Sequence, residues 1–165
     1  MAEKEEIISD TSSLVFIAKL GIFNLAKNMF SKILVPEQVI NELLASEWNG
    51  RLIIEKELDN FIYKTKLLKI KDIPVDFGER AAISLCLERK IKNFLSDDKN
   101  ARRTAQAFGI EVKGVLGILF WNLKHGNINK KECKKFIENL IDKGYYISDK
   151  LYQKSLKLIE FTDNS

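Results

Sequence analysis

Acidic residues stand at the ends of several apolar runs in this chain. Asp10 closes I-I-S-D, Glu79 opens G-E-R-A-A-I-S-L-C-L, and Asp97 and Asp98 close N-F-L-S-D-D. Glu42 is a fourth candidate, on the flank of a helical stripe made by Val39, Ile40, Leu43 and Leu44; at about 100° per residue it stands beside Val39. Taken singly, each acid has an ordinary role. Asp10 can cap the helix that follows it, Glu79 can complement a helix dipole, and Glu42 can be a solvated helix residue. Convergence of acids from distant segments has a different meaning. Carboxylates crowded together raise one another's pKa unless a cation joins them, and an all-oxygen donor set favours Mg²⁺ or Mn²⁺ over zinc. Two such ions about 4 Å apart activate water and stabilise the leaving oxygen in phosphodiester hydrolysis.

Other chemistries have fewer residues to draw on. His125 is the only histidine, so a Ser-His-Asp arrangement rests on one residue. It falls in the last turn of a helix ending at Gly126, where it suits the helix carboxyl end. Cys86 and Cys133 lie in apolar helical patterns without C-x-x-C spacing, which predicts buried thiols rather than a disulfide or a thiolate zinc site.

The elements that must position the acids follow from apolar periodicity. Glu6 to Ser9 reads as the central strand of a parallel sheet with Asp10 at its carboxyl end, followed by Thr11 to Ser13 as capping hydroxyls. Ligands of open α/β sheets bind outside the carboxyl ends of strands, where strand order reverses. Leu14 to Leu20 and Ile22 to Phe30 read as helices. Ile33 to Val35 reads as a strand stopped by Pro36, which starts a helix over 37–46 as its first residue. Residues 51–62 have helical spacing and Leu67 to Lys71 reads as a third strand. A turn over 74–78 opens the helix carrying Glu79, and Asn93 to Ser96 reads as a buried strand. The helix from Asp98 ends at Gly109 as its C′ residue, and Ile110 to Lys113 is the expected fifth strand. Gly114 leads into a largely buried helix. Asn129 with Glu132 has capping-box spacing, and Ser148 caps a last helix reaching about Glu160. Strands alternating with helices predict a three-layer α/β/α fold around a mostly parallel five-stranded sheet, in one domain over 1–165 with 129–165 as a C-terminal helical extension.

From I-S-D-T-S-S-L-V-F-I-A-K-L-G through V-P-E-Q-V-I-N-E-L and G-E-R-A-A-I-S-L-C-L to F-L-S-D-D-K-N-A-R-R-T-A, the chain resembles the PIN-domain ribonucleases, the family of VapC-type toxins, in the branch with a D-T-S-x-L start. V-L-G-I-L and G-Y-Y-I-S-D-K-L-Y extend the resemblance to the C-terminal part. The resemblance implies a metal-dependent endoribonuclease in which Asp10, Glu42, Glu79 and Asp98 hold Mg²⁺ or Mn²⁺ and Ser12 orients a ligand or water. Many toxins have Thr where this chain has Ser96, and some have a further acid where it has Asn100. Side chains alternate along a strand, so Asp98 is expected to share the crevice side with Ser96. Asp97 is then left to cap the next helix through N–H groups near Asn100. Lys99, Arg102 and Arg103 are expected to contact RNA phosphates, whereas Lys90 and Lys92 read as a solvated face.

Length and composition agree with one globular domain: 165 residues, 45% hydrophobic and 30% charged, with a net charge of +4 that is compatible with an acidic partner. No apolar run approaches the roughly 20 residues of a membrane span, and the start M-A-E-K-E-E is acidic where a secretory signal is basic. A cytoplasmic location is expected. Expected partners are RNA, a small antitoxin protein and a second copy of the chain, since the amphipathic helices near the two ends leave an apolar seam. Two other readings compete: a PIN-like fold retained as an inactive binding module, and a receiver-like phosphoacceptor domain using Asp10, Asp72, Ser96 and Lys113. Receivers place paired acids after the first strand, where this chain has Thr11.

Overall fold

Ile7 and Ile8 are neighbours on one strand, so their side chains point to opposite faces of the sheet, and both are fully buried. The sheet is therefore covered on both sides, which is the condition for a parallel α/β arrangement. In this computed structural model, which describes residues 3–163, the strands are β1 (Glu5–Ser9), β2 (Phe30–Pro36), β3 (Ile62–Thr65), β4 (Asn93–Leu95) and β5 (Glu111–Lys113). They pair in the order β3-β2-β1-β4-β5, and every pairing is parallel. The helices are α1 (Thr11–Leu20), α2 (Phe23–Met29), α3 (Glu37–Ala45), α4 (Arg51–Glu57), α5 (Phe77–Arg89), α6 (Lys99–Ala107), α7 (Val115–Lys124), α8 (Lys130–Asp142) and α9 (Asp149–Phe161). Helix α5 lies against β1, β2 and β4, α7 packs on α2 and α8, and α8 reaches α1 and α9. Fully burying each large aliphatic or aromatic side chain, as for Ile33, Ile62 and Phe94, contributes roughly 1.5–3 kcal/mol.

The strand order rules out a receiver, whose order is 2-1-3-4-5, and Asp72 is exposed outside any strand or helix. The expected third strand lies elsewhere. Ile62 to Thr65, not Leu67 to Lys71, pairs with β2, in a register that ends with Pro36 opposite Thr65. Beyond Pro36 the neighbouring chain turns into α3, so residues 67–71 have no strand to pair with. Their backbone is held by side chains of α5 instead: Glu88 accepts from the Leu68 N–H at 3.1 Å and Ser84 Oγ from the Lys71 N–H at 2.9 Å. The helical spacing over 51–62 stops at Glu57, where Asp59 adopts a left-handed φ of 61° and turns the chain into β3. Pro36 is the last residue of β2 and caps α3 rather than beginning it.

Other boundaries fall as the sequence predicts. Gly109 follows α6 with φ 78°, a conformation that suits glycine. Asn129 and Glu132 exchange both hydrogen bonds of a capping box at 2.8 Å. The ring of His125, which caps the carboxyl end of α7, stacks on Trp121 and places Nδ1 2.8 Å from the Trp121 carbonyl oxygen. Both thiols are buried, and burial pushes Cys86 and Cys133 up to about 12. Inside the helical layer, the fully buried Asn122 donates to the Leu25 and Ile118 carbonyls and accepts from Asn28 and Asn127. Its polar group is thereby satisfied where an unpaired amide would cost about 1–3 kcal/mol. Among the described residues no helix is long and apolar enough to cross a membrane.

Candidate active site

Strands β2 and β3 extend the sheet to one side of β1, and β4 and β5 extend it to the other. The crevice between the carboxyl ends of β1 and β4 is therefore the switch point at which such sheets bind ligands. Asp10 leaves β1 there and Ser96, Asp97 and Asp98 leave β4, with the Asp10 N–H donating to the Leu95 carbonyl at 3.2 Å. Helix α5 brings Glu79 to the same place. Gly78 permits this approach, because a Cβ at that position would stand 2.6 Å from Thr11 Oγ1.

Asp10, Glu79 and Asp98 are used by the fold in the same way. Asp10 Oδ1 accepts from the Ser13 N–H at 2.9 Å and caps α1. Asp98 Oδ1 accepts from the Ala101 N–H at 2.7 Å and caps α6. Glu79 Oε2 accepts from the Asp76 N–H at 3.1 Å at the start of α5. Each acid commits one oxygen to a helix start and leaves the other without a protein partner among the described residues. For Asp10, only 1% exposed, the spare oxygen Oδ2 is buried and has no hydrogen bond.

That arrangement shifts the acids upward. Burial pushes Asp10 from 3.8 to about 6, aided by the negative charge of Asp97 and opposed by the Ser96 and Ser13 hydroxyls and the Ser13 N–H. Burial likewise pushes Glu79 from 4.5 to about 7, and the charges of Asp98, Asp10 and Asp76 add to it. Three carboxylates therefore act on Glu79 from different segments. Asp76 was not visible as a member of this group in the sequence, although D-x-x-E spacing with Glu79 signals the cap.

Asp97 and Asp98 exchange one of their expected roles. Asp98, not Asp97, caps α6. Asp97 turns away and joins separate elements: Oδ2 accepts from Ser13 Oγ at 2.8 Å, and Oδ1 accepts from the Val115 N–H at 3.0 Å and Tyr145 Oη at 2.8 Å. The helix-capping geometry of one residue selects Asp98 because its backbone is the last extended position before α6 (φ −72°, ψ 126°). Tyr145 carried no sequence signal for this site, and Ser13, expected as a helix-capping hydroxyl, donates its hydroxyl to Asp97 instead. Tyr145 packs edge-on against Phe16 at 5.3 Å, and burial together with the Asp97 charge raises its hydroxyl pKa. Its link to Asp97 spans 48 residues, which no local pattern could signal.

The remaining candidates divide. Ser96 is fully buried beside Asp10, and its Oγ accepts from the Asp98 N–H at 3.3 Å. Ser12 is exposed on the first turn of α1. Glu42, exposed on α3, lines a cavity of about 230 Å³ with Thr11, Lys19 and Trp48, and Thr11 directly follows Asp10 and stands against Gly78. Arg102 is half-buried and donates from Nη1 to the Ser96 carbonyl at 3.0 Å, whereas Lys99 and Arg103 are exposed. Lys90 and Lys92 are exposed, as a solvated face requires.

The chemistry of the donors fits a hard divalent cation. They are oxygens only, they repel one another, and one of them is a buried oxygen without a partner. Among the described residues no three His, Cys, Asp or Glu side chains stand in a closed ion-holding group.

A family described as DUF3368, PIN domain, matches residues 6–160. The chain therefore belongs to the PIN-domain family, a membership that supports a nuclease-type function. Among solved structures it is similar to the PIN domain endonuclease Utp24, with a TM-score of 0.54 and 16% identity over 67% of this chain and 84% of that one. At that identity the likeness bears on the fold. Comparison with curated proteins returns no match.

Two outcomes are expected from the acids. Asp98→Asn keeps a capping side chain and relieves repulsion on Glu79, so in chelator its melting temperature should equal or exceed that of the parent. Asp97→Ala leaves the Val115 N–H and two hydroxyls without their acceptor and should cost about 3 kcal/mol or more. Thermal melts of both variants decide it, and a stable Asp97→Ala would refute the assignment. The second outcome concerns pH. Asp10 and Glu79 have folded pKa values above their ordinary ones, so the folded state holds protons more tightly than the unfolded chain. Their stabilising contribution is complete below about pH 4 and is lost as pH rises through 6 and 7. Metal-free protein should therefore melt at a lower temperature at pH 7.5 than at pH 5, with a smaller fall in an Asp10→Asn/Glu79→Gln variant (about the window set by the linkage relation). Equal falls in parent and variant would contradict it.

Proposed function

We propose that this chain is a metal-dependent endoribonuclease that hydrolyses RNA phosphodiesters, the toxin-like member of a pair with a small antitoxin protein. The observation that carries the reading is the shared construction of Asp10, Glu79 and Asp98, each with one oxygen bound to a helix start and one left over at the switch point of the sheet. A bound Mg²⁺ or Mn²⁺ would neutralise these acids, activate a water and stabilise the leaving oxygen.

The chain's own groups prepare that chemistry. Ser13 N–H fixes the plane of the Asp10 carboxylate, and burial of Asp10 and Ser96 keeps bulk water from that side of the crevice. Lys99, at the start of α6, is exposed next to Asp98 and free to meet a phosphate. Arg102 holds the end of β4 through Ser96, so its contribution to phosphate binding comes with a structural duty. Arg103 supplies a further exposed cation on α6. Glu42, which shares a cavity with Thr11 next to Asp10, is the fourth acid of the reading.

A homodimer is the second part of the proposal. Leu151, Leu158 and Phe161 recur on one face of α9 and are 40%, 48% and 78% exposed. Such a stripe is suited to a matching stripe on another copy or to an antitoxin helix.

Purified protein should cleave single-stranded RNA with Mg²⁺ or Mn²⁺, lose cleavage in chelator, and lose it in Asp10→Asn and Asp98→Asn while both variants stay folded. Cleavage that persists in chelator, or an active Asp98→Asn, would sink the nuclease assignment. Light scattering at micromolar concentration should give twice the chain mass, and Leu158→Glu/Phe161→Glu should give the monomer. A parent protein that scatters as a monomer would remove the dimer.

A further inference from the structure

Beside Asp97, the carboxyl end of β5 and the first turns of α7 line a trough of about 590 Å³. Its size is in the range of small-ligand sites, and its lining has three parts. Phe120, Trp121 and Tyr145 supply aromatic surface, Lys99, Arg102 and Lys113 supply positive charge, and aliphatic side chains such as Leu116 and Leu151 supply the rest of the apolar wall. We propose that this trough binds bases of a single-stranded nucleic acid next to the phosphate held at the acids. The identity of the strand as substrate rests on the nuclease reading above.

Position makes the connection. Asp97 lies at the wall of the trough and immediately precedes Asp98, and Lys99 follows. A strand with one phosphate at the acids therefore reaches Lys99 and the trough within a short step. Asp97 is the only acid of the lining, and its oxygens are occupied by Ser13, Val115 and Tyr145. Its charge is thus turned into the fold, while the cations remain on the trough side. Lys99 has no ion pair among the described residues. Lys113 is held in place by Asn93 Oδ1 at 3.3 Å and Glu111 Oε1 at 3.2 Å.

The aromatic part is prepared for stacking. The His125 ring covers one face of Trp121 at 3.8 Å with an interplanar angle of 18°, which fixes the indole while Trp121 stays partly exposed. Gly117 bares the adjoining turn of α7, since a Cβ there would meet nothing within 4 Å. Beyond Trp121 a second hollow of about 570 Å³ shares Met29, Lys113 and Trp121 with the first. Glu3 and Glu5 line that second hollow, so the cationic surface that suits a strand is the trough itself.

Single-stranded nucleic acid is favoured over an apolar peptide by the combination of surfaces. A cationic groove with aromatic platforms serves phosphates and unstacked bases at once, whereas an apolar helix would leave Lys99 without a partner. A duplex keeps its bases stacked inside and cannot offer them to Trp121.

The test uses the Asp98→Asn protein in chelator, so that RNA stays intact, with labelled oligouridylate as probe. Binding is read by anisotropy, and Trp121 is read by its emission in a Trp48→Phe background, which leaves one of the 2 tryptophans. Oligouridylate should quench Trp121, the same strand annealed to oligoadenylate should not, and Trp121→Leu should weaken binding about tenfold with an unchanged melting temperature. If oligouridylate binds, Trp121 is not quenched and Trp121→Leu binds equally well, the trough is overturned and the nuclease reading stands. Equal quenching by the duplex, or quenching only by an apolar helical peptide, also overturns it. Failure of the parent protein to cleave RNA with Mg²⁺ is the separate result that removes the nuclease reading.

Discussion

The Asp97 carboxylate is the constraint on which the crevice depends. It accepts hydrogen bonds from the first turn of α1, from the first residue of α7 and from the segment joining α8 to α9. Hydrogen bonds to a charged group contribute about 1.5–3 kcal/mol each, though not additively. Ser13 uses its hydroxyl for Asp97 and its N–H for Asp10, so the orientation of the first acid is linked to the knot that orders the second. The C-terminal helices are tied to the site by the same group through Tyr145, whose backbone N–H is also held by the Leu140 carbonyl.

Acids that repel one another are held together here by backbone donors rather than by bases. The α1, α5 and α6 starts all face the crevice, and the partial positive charge at each helix N-terminus offsets part of the carboxylate charge. Burial, with a further contribution from the neighbouring acids, still raises Asp10 and Glu79 above their ordinary values. The protein thus carries a local excess of negative charge into a region whose outer rim is set with Lys99, Arg102 and Arg103 on α6. Charges of opposite sign in adjacent zones suit a polyanion that must be attracted broadly and engaged at one point.

Asp10, Asp98 and Glu79 could be found from sequence because each lies where an apolar run meets a helix start, and both signals are local. The alternation of strand and helix patterns likewise predicted the sheet and its parallel pairing. What could not be read were contacts made across the chain. Leu67 to Lys71 is as apolar as a strand, and only the end of β2 at Pro36 decides that it has no partner. The exchange of capping duty between Asp97 and Asp98 depends on where β4 stops and on a tyrosine 48 residues away. Glu42 shares a hollow with Thr11, the neighbour of Asp10, a meeting of α3 with the start of α1 that its own helical stripe does not signal.

Because the acids at positions 10 and 98 also cap the starts of helices, mutational drift at these sites faces two separate filters. Under the proposed function, loss of charge removes the chemistry and leaves the cap intact when the replacement is asparagine or serine, whereas an aliphatic replacement removes both. Descendants that abandon hydrolysis would be expected to carry short polar residues there, so the ancestry of the crevice should outlast its activity in the sequence record.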